Sequence, residues 1–545
     1  MTPSAKAQTI RSDASNFTTV TTTDATVGRE RFLIEDGRSA GNNLFHSFDA
    51  FSIPDGGTAT FASTASILNI IGRVTGSEPS NINGTLQSQT PVNFFFINPN
   101  GIVFGPNAAL SIGGSFIGST AESVLFPGDQ TFSASDISST PTLSISAPEG
   151  LQMGTASGNI QVNDIGYTAL VGIPLTIDSS SSLRLDGGQT LALIGNGLSF
   201  QGGTLAAPGG QIALGSVESG TVKLSQSNLW VPDYEDVSTF ADITLTRRSL
   251  INVSNVLFDS IGQPTPLGIS GGNIHIHSQN FSAVDSSLAL IQNYSPLPSG
   301  SIYVNARGDL SLSQADTTDP RRLVGSGFTT NAFDAGAGGN IEIATGGLLY
   351  LENDGFITTE TFGLAPGGNI ILREVSDITL IENQIAATDL GGIHTISFSP
   401  PVPEPFSPGT AGNIEIVTGS LNILEDGISS QAINAGDSGS VTVTADDISI
   451  YNSGTISSAT LGTGNSGNLN VTAKDILVSG FHPATLFPSG ILATTVADGN
   501  AGNLVVNAER LSILEGGRVD SSTISRGDAG TVTINASEDV LVSGN

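Results

Sequence analysis

From Asn93 to Phe126 the chain runs NFFFINPNGIVFGPNAALSIGGSFIGSTAESVLF. Its continuous apolar run, Phe94-Phe95-Phe96-Ile97, is long enough for a buried strand and too short for a helix. Asn98-Pro99-Asn100-Gly101 reads as a type I turn: proline pre-sets φ at the second position, asparagine tolerates the third and glycine suits the fourth. Only Ile102-Val103-Phe104 follow before a second turn at Gly105-Pro106-Asn107. A hairpin would want strands of matched length. Three-residue strands between sharp corners predict a coil that keeps turning one way, a solenoid.

Four ordered blocks carry a family resemblance. They are Gly41-Asn42-Asn43-Leu44-Phe45-His46-Ser47-Phe48, Phe51-Ser52-Ile53-Pro54, Asn69-Ile70-Ile71-Gly72-Arg73-Val74-Thr75-Gly76, and Phe95 to Ile102 with Ile112-Gly113-Gly114-Ser115-Phe116. Together they resemble the haemagglutination-activity, or two-partner-secretion, domain that opens filamentous-haemagglutinin-like exoproteins. The match covers residues 20 to 130 well and 150 to 220 loosely. It implies a right-handed parallel β-helix with an N-terminal cap, and export through a dedicated outer-membrane transporter.

Composition agrees with an all-β chain. Of 545 residues, 67 are glycine and only 12% are charged, and capped amphipathic helical stretches are nearly absent. Net charge is −31, which disfavours nucleic acid and anionic membranes as partners. With no cysteine, neither disulfides nor thiolate metal sites hold the fold, so stability must come from stacking. No apolar run reaches the ~20 residues that span a bilayer. Ala5-Lys6-Ala7 before Gln8 reads as the end of a signal peptide, making residues 1–7 its remnant.

Residues 8 to 60 should form the first coils and a cap over the end of the stack. Residues 183 to 215 read as three regular strands between glycine corners. Trp230-Val231-Pro232-Asp233-Tyr234-Glu235-Asp236 interrupts that regularity and divides a secretion domain at 8–230 from repeats at 231–545. The repeat marker is Gly-Asn or Gly-Ser/Thr followed by alternating apolar residues, at Gly272, Gly300, Gly339, Gly368, Gly412, Gly439, Gly467, Gly502 and Gly530. Five of the eight intervals lie between 27 and 29 residues. The other three hold proline-bearing insertions at Ala315 to Arg322, Gly391 to Pro408 and Phe481 to Pro488. Three short strands in ~28 residues predict one β-helical coil per unit, the last incomplete.

Several residues are candidates for function. Under the resemblance Asn98, Pro99, Asn100, Gly101 and Ile102 form either a transporter-recognition element or a corner that nucleates folding. Asn273, Asn340, Asn369, Asn413, Asn468 and Asn503 share one phase and should stack as a structural amide ladder. His275 and His277 share one strand face, without a third metal ligand nearby. Arg307-Gly308-Asp309 and Arg526-Gly527-Asp528 spell an adhesion tripeptide, built of common turn residues and read as accidental. Asp446, Asp447, Asp475, Glu509, Glu538 and Asp539 gather at one corner as a charged edge.

The resemblance implies a secreted surface exoprotein, an adhesin, reaching the exterior of a Gram-negative-type bacterium through the periplasm. No catalytic residue, metal or cofactor is expected. The partners are a transporter with periplasmic docking domains and a cell-surface or carbohydrate target, and the chain itself is expected to be a monomer. A polysaccharide-acting β-helix enzyme is the alternative, and would need carboxylates with basic partners on one face. A passive surface coat is another, with Thr358-Thr359 and Thr494-Thr495 facing out.

Overall fold

The computed structural model describes residues 10–13, 15, 18–136, 143–170, 176–178, 183–258, 263–314, 324–382, 391–398 and 409–544. The signal-peptide reading and the Ala315–Arg322 insertion lie outside the described residues, as does much of the insertion ending at Pro408. Among those described there are strands and turns and no helix. The chain forms two compact units. The first comprises Met1–Thr168, Ile177–Val253 and His275–Asn280; the second comprises Ala169–Thr176, Ser254–Ile274 and Phe281–Asn545.

In the first unit three parallel ladders build the coils. One runs from Arg31–Asp36 through Thr58–Phe61 and the start of Thr85–Ile97 to that of Ala109–Ser119. A second runs Asn43–Ala50, Asn69–Val74, Asn93 to Ile97, Phe116 to Ser119, Thr190–Gly195, then the start of Gln211–Gln226. The third joins Ser80–Ile82, Ile102–Phe104, Ile160–Asn163, Leu198–Gln201 and Ile243–Thr246. Ile102–Phe104 is thus a strand of only three residues between coils. At the N-terminus Thr18–Asp24 pairs antiparallel with Arg31–Asp36, and Arg38–Ala40 with Asn43–Ala50, closing the stack.

The run Phe94-Phe95-Phe96-Ile97 lacks alternation because both of its faces are covered. Phe94 and Phe96 enter the coil, with ring centroids 4.8 Å from Phe61 and 4.9 Å from Phe51. Phe95 and Ile97 point the other way, into a second core. An antiparallel sheet roofs that core: Gln130–Ser133, Ser123–Phe126, Gly150–Met153, the far half of Gln211–Gln226, Trp230–Asp233 and Val237–Phe240. Phe95 meets Trp230 edge to face at 5.0 Å. Burying each such ring contributes about 1.5–3 kcal/mol. Trp230–Asp236, read above as an interruption, is a roof strand and turn. Residues 183 to 215 hold five strand segments where three were expected, because short strands close at each glycine corner.

The second unit repeats one coil. Its third-strand ladder alone stacks Leu288–Asn293, Gly327–Ala332, Phe356–Thr361, Gly392–Ser397, Gly427–Ala432, Thr455–Thr460, Gly490–Thr495 and Arg518–Thr523, parallel and without a bulge. The marker glycines form a column in which backbones touch. A Cβ on Gly368 would run into the carbonyl of Gly339, one on Gly412 into Gly368, one on Gly439 into Gly412, and so on to Gly530. Each carbonyl also accepts a buried hydroxyl: Thr330 Oγ1 donates to Gly339 O (2.6 Å), Thr359 Oγ1 to Gly368 O (2.6 Å) and Ser458 Oγ to Gly439 O (3.0 Å). This corrects the outward placement of the threonine pairs. Thr359 and Thr495 are fully buried and Thr358 nearly so. Strand alternation sends one member of each pair inward, where a glycine carbonyl needs a donor.

Gly439→Ala is therefore expected to destabilise the protein by about 1–3 kcal/mol through overpacking. Thr494→Ala, at a half-exposed outward position, should stay within about 0.5 kcal/mol. Urea unfolding of the two variants checks both values.

Candidate functional site

The Asn98–Gly101 turn is bonded on every side. Asn98 is fully buried. Its N–H donates to Ser119 O (3.0 Å), and its Nδ2 donates to Glu78 O (3.1 Å) and Ser80 Oγ (2.9 Å). Its Oδ1 accepts the Asn100 N–H (3.0 Å), and Gly101 N–H closes the turn on Asn98 O (3.1 Å). Gly101 sits at φ +118°, where a side chain would be strained. The neighbouring coils hold the turn as well: Gly158 N–H reaches Pro99 O (2.7 Å), Ile102 N–H reaches Asn159 O (3.1 Å), and Ser80 N–H reaches Gly101 O (3.0 Å). Ile102 is buried in the core. What remains outside is Pro99, half-buried, and Asn100, exposed, its Nδ2 tethered to Gly76 O (2.7 Å). Three of the five residues thus act inside the fold and two present an outer corner.

The upstream blocks surround this turn with buried polar groups that sequence reasoning missed. Arg73 is 1% exposed, with Nε donating to Ser47 Oγ (2.8 Å), Nη2 to Ser15 Oγ (3.1 Å), and its guanidinium 4.4 Å from the centre of the Phe132 ring. Asp13 accepts from Thr75 Oγ1 (2.8 Å) and from Ser47 Oγ. This network pins the first residues of the cap to the second ladder. An amide column runs beside it: Asn69 Nδ2 donates to Asn43 Oδ1 (2.9 Å), Asn93 Nδ2 to Asn69 Oδ1 (3.0 Å), and Ser115 N–H to Asn93 Oδ1 (3.2 Å). The intervals of 26 and 24 residues were the signal that could have revealed it.

His46 lies inside the first unit, edge-on to Phe61 at 5.3 Å, with Nδ1 3.3 Å from Thr18 Oγ1. Burial holds its imidazole down at about 4, against the weaker upward pull of Asp36.

In the second unit the marker asparagines bond from coil to coil through backbone amides. Asn273 Oδ1 accepts Ser301 N–H (2.9 Å), Asn340 Oδ1 accepts Asn369 N–H (2.9 Å), and Asn369 Oδ1 accepts Asn413 N–H (2.8 Å). Asn413 Oδ1 accepts Ser440 N–H (2.8 Å), and Asn468 Oδ1 accepts Asn503 N–H (3.0 Å). A second column at the next corner joins Asp437, Asn465, Asn500 and Asp528 in the same way. These amides satisfy irregular corner backbone, which is a structural task.

The acidic corner is not a bare acidic edge. Lys474 Nζ lies 2.7 Å from Asp446, while Arg510 bridges Asp475 at 2.5 Å and Glu538 at 2.8 Å. Cations one coil away cross-link the carboxylates. His275 and His277 lie half-exposed on one strand face as read, and His277 stacks on Tyr234 at 4.2 Å. Among the described residues no group of three or more His, Cys, Asp or Glu is placed to hold a metal. In the tripeptide at 526–528, Arg526 pairs with Asp498 (3.0 Å) and Asp528 N–H donates to Asn500.

Two outcomes follow from this geometry. Asn98→Ala leaves buried backbone groups unpaired and should cost on the order of 1–3 kcal/mol, measured by chemical unfolding. His46 has a folded-state pKa below its unfolded value, so the unfolded chain binds the proton more tightly. Its contribution is complete above about pH 6.5 and is lost as pH falls towards 4, an acid sensitivity on the order of 3 kcal/mol. The difference in unfolding free energy between wild type and His46→Gln, followed across that window, should shrink by that amount.

Residues 9–276 match the family described as the TPS secretion domain. Among solved structures, the chain is similar to the crystal structure of the HMW1 secretion domain from Haemophilus influenzae. That match has 13% identity and a TM-score of 0.29, and covers 96% of this chain and 98% of that one. No curated protein matches the chain.

Proposed function

We propose that the chain is an exoprotein exported by a two-partner system and serves outside the cell as an adhesin, a reading supported by the match of residues 9–276 to the TPS secretion domain. Export of this kind runs through the periplasm to the exterior by way of an outer-membrane transporter. The finer proposal is that the transporter's periplasmic docking domains read the outer corner made by Pro99 and Asn100, while Asn98, Gly101 and Ile102 hold that corner in place. The observation that carries it is the contrast within one turn: Asn98 is fully buried and bonded, whereas Asn100 is exposed. A recognition element needs a rigid support beneath an accessible tip.

The repeats after the secretion domain, from near residue 231, then form the exposed adhesive surface. Each added coil buries apolar surface against the one before it. Folding outside the membrane therefore opposes backward slippage of the chain. The target is a cell-surface or carbohydrate ligand.

Co-expression with the cognate transporter tests the reading. Deleting residues 1–130 should abolish appearance of the protein in the medium. Asn100→Ala should reduce secretion with the unfolding midpoint of purified protein unchanged, whereas Asn98→Ala should lower both. Normal secretion of Asn100→Ala and Pro99→Ala together would remove this corner from the recognition surface.

A further inference from the structure

In the second unit the third-strand ladder presents an outer face, uncharged over the coils of Gly427–Ala432, Thr455–Thr460 and Gly490–Thr495, that is bounded by two apolar edges. Register continues one residue beyond each strand, since Leu461 N–H donates to Ala432 O (2.8 Å), Val496 N–H to Thr460 O (2.9 Å) and Ile524 N–H to Thr495 O (2.9 Å). Ile433, Leu461, Val496 and Ile524 therefore line up one per coil, 42%, 51%, 45% and 73% exposed. Across the face, the outward positions Gln431, Ser457, Ala459, Leu492 and Thr494 carry no charge, and on the fourth coil Asp520 lies beside Leu492 and Arg518 beside Gly490.

The opposite edge is the insertion from Phe481 to Pro488. It is a built loop: Phe481 bridges Pro488, His482 N–H donates to Phe487 O (2.8 Å), and Leu486 N–H donates to His482 O (2.8 Å). The His482 ring accepts the N–H groups of Ala484 and Thr485 at 3.2 and 3.1 Å. Leu486 is held at φ +60°, costly for a bulky residue, and yet it and Phe487 stand 68% and 69% exposed. Strain and bonding here keep two apolar side chains in water, where the core gains nothing from them.

We propose that this face is a homotypic docking surface, on which a second copy of the chain sets its Phe481–Pro488 loop against the Leu461–Ile524 ridge. Three arguments select a second copy. The chain carries a net charge of −31, so two copies repel wherever acidic surfaces meet, and a face with three uncharged coils lessens that repulsion. The face is also self-complementary, because a two-fold axis parallel to the coil stack turns one copy's loop onto the other's ridge. Size is the third. Six-residue strands span ~20 Å and four coils ~15 Å, so with both edges the face offers roughly 500 Å², short of the ~800 Å² per partner of a permanent dimer. The association is therefore weak and reversible, in place of the monomer expected from sequence. Copies held at high local density on one surface would meet this way while dilute protein stays apart.

Sedimentation velocity on the full-length protein, over about 1–200 µM at physiological salt, reads the equilibrium of such an interface. Concentration-dependent dimerisation is expected, weakened at least about tenfold by Leu486→Asp and by Leu461→Asp, since each buries a charge against an apolar partner. Both sites are exposed, and an unchanged unfolding midpoint will show that the variants fold. Leu486→Lys and Val496→Asp should each weaken the dimer and, combined in one chain, restore it through two loop-to-ridge ion pairs. A monomer throughout the range would overturn the proposal. So would a dimer indifferent to both aspartate substitutions, which would place the contact elsewhere.

Discussion

The constraint on which everything else rests is the spacing of parallel strands, about 4.8 Å from one coil to the next. At that distance a corner residue sits directly on its counterpart, and there is no room for a Cβ where two corners turn tightly. Gly339, Gly368, Gly412 and Gly439 meet that demand by close approach alone, without a positive φ. The same spacing brings asparagine side chains within reach of the next coil's amide at 2.8–3.0 Å. Glycine at the contact and asparagine beside it are two answers to one geometric fact.

The two units use that spacing differently. In the second, the coil interior is the core, and strands such as Ile302–Ala306 and Ile341–Thr345 alternate between buried and half-exposed residues, although Leu288–Asn293 and Gly327–Ala332 are buried throughout. In the first, one ladder is buried on both sides, so Phe94 to Ile97 show no alternation. The antiparallel roof supplies the second cover and brings Phe126, Phe132, Leu151 and Trp230 onto Phe95. A solenoid ladder exposes one face to water by default. Covering it adds apolar burial and rigidity close to the turn beginning at Asn98, where a partner would need a fixed shape.

Local features were legible in the sequence, and non-local pairings were not. The three-residue strand Ile102–Phe104, the turn closed by Gly101 and the marker phase of the repeats all follow from residues a few positions apart. The roof does not, because Gly150–Met153 pairs with residues 220 to 223, and nothing in either segment names the other. Arg73 looked like one more charged residue within a family block. Its burial depends on Ser15, Ser47 and Phe132, which lie far off along the chain. At the charged edge, Lys474 and Arg510 adjoin Asp475 and Glu509 in the sequence, but their pairing with Asp446 and Asp475 one coil away follows only from stacking. Thr359 and Thr495 were misplaced for a related reason: a threonine pair on a strand always has one member inside, and hydroxyls suit an interior lined by glycine carbonyls.

Stacking also decides where function can reside. Strand positions are fixed twice, by the ladder and by the core, so a change there is felt by the coils on both sides. Side chains that point outward at a corner belong to neither. An insertion such as Phe481–Pro488 leaves Gly467 and Gly502 in the same column, the latter still seated on the former's carbonyl, although the interval between them is longer than the usual one. The coil therefore tolerates new side chains at a corner without loss of register. The exposed corner at Pro99 and Asn100 and the strained loop at Leu486 are two uses of that freedom, one in each unit. In both, the surface that a partner would touch lies outside the ladder and the core.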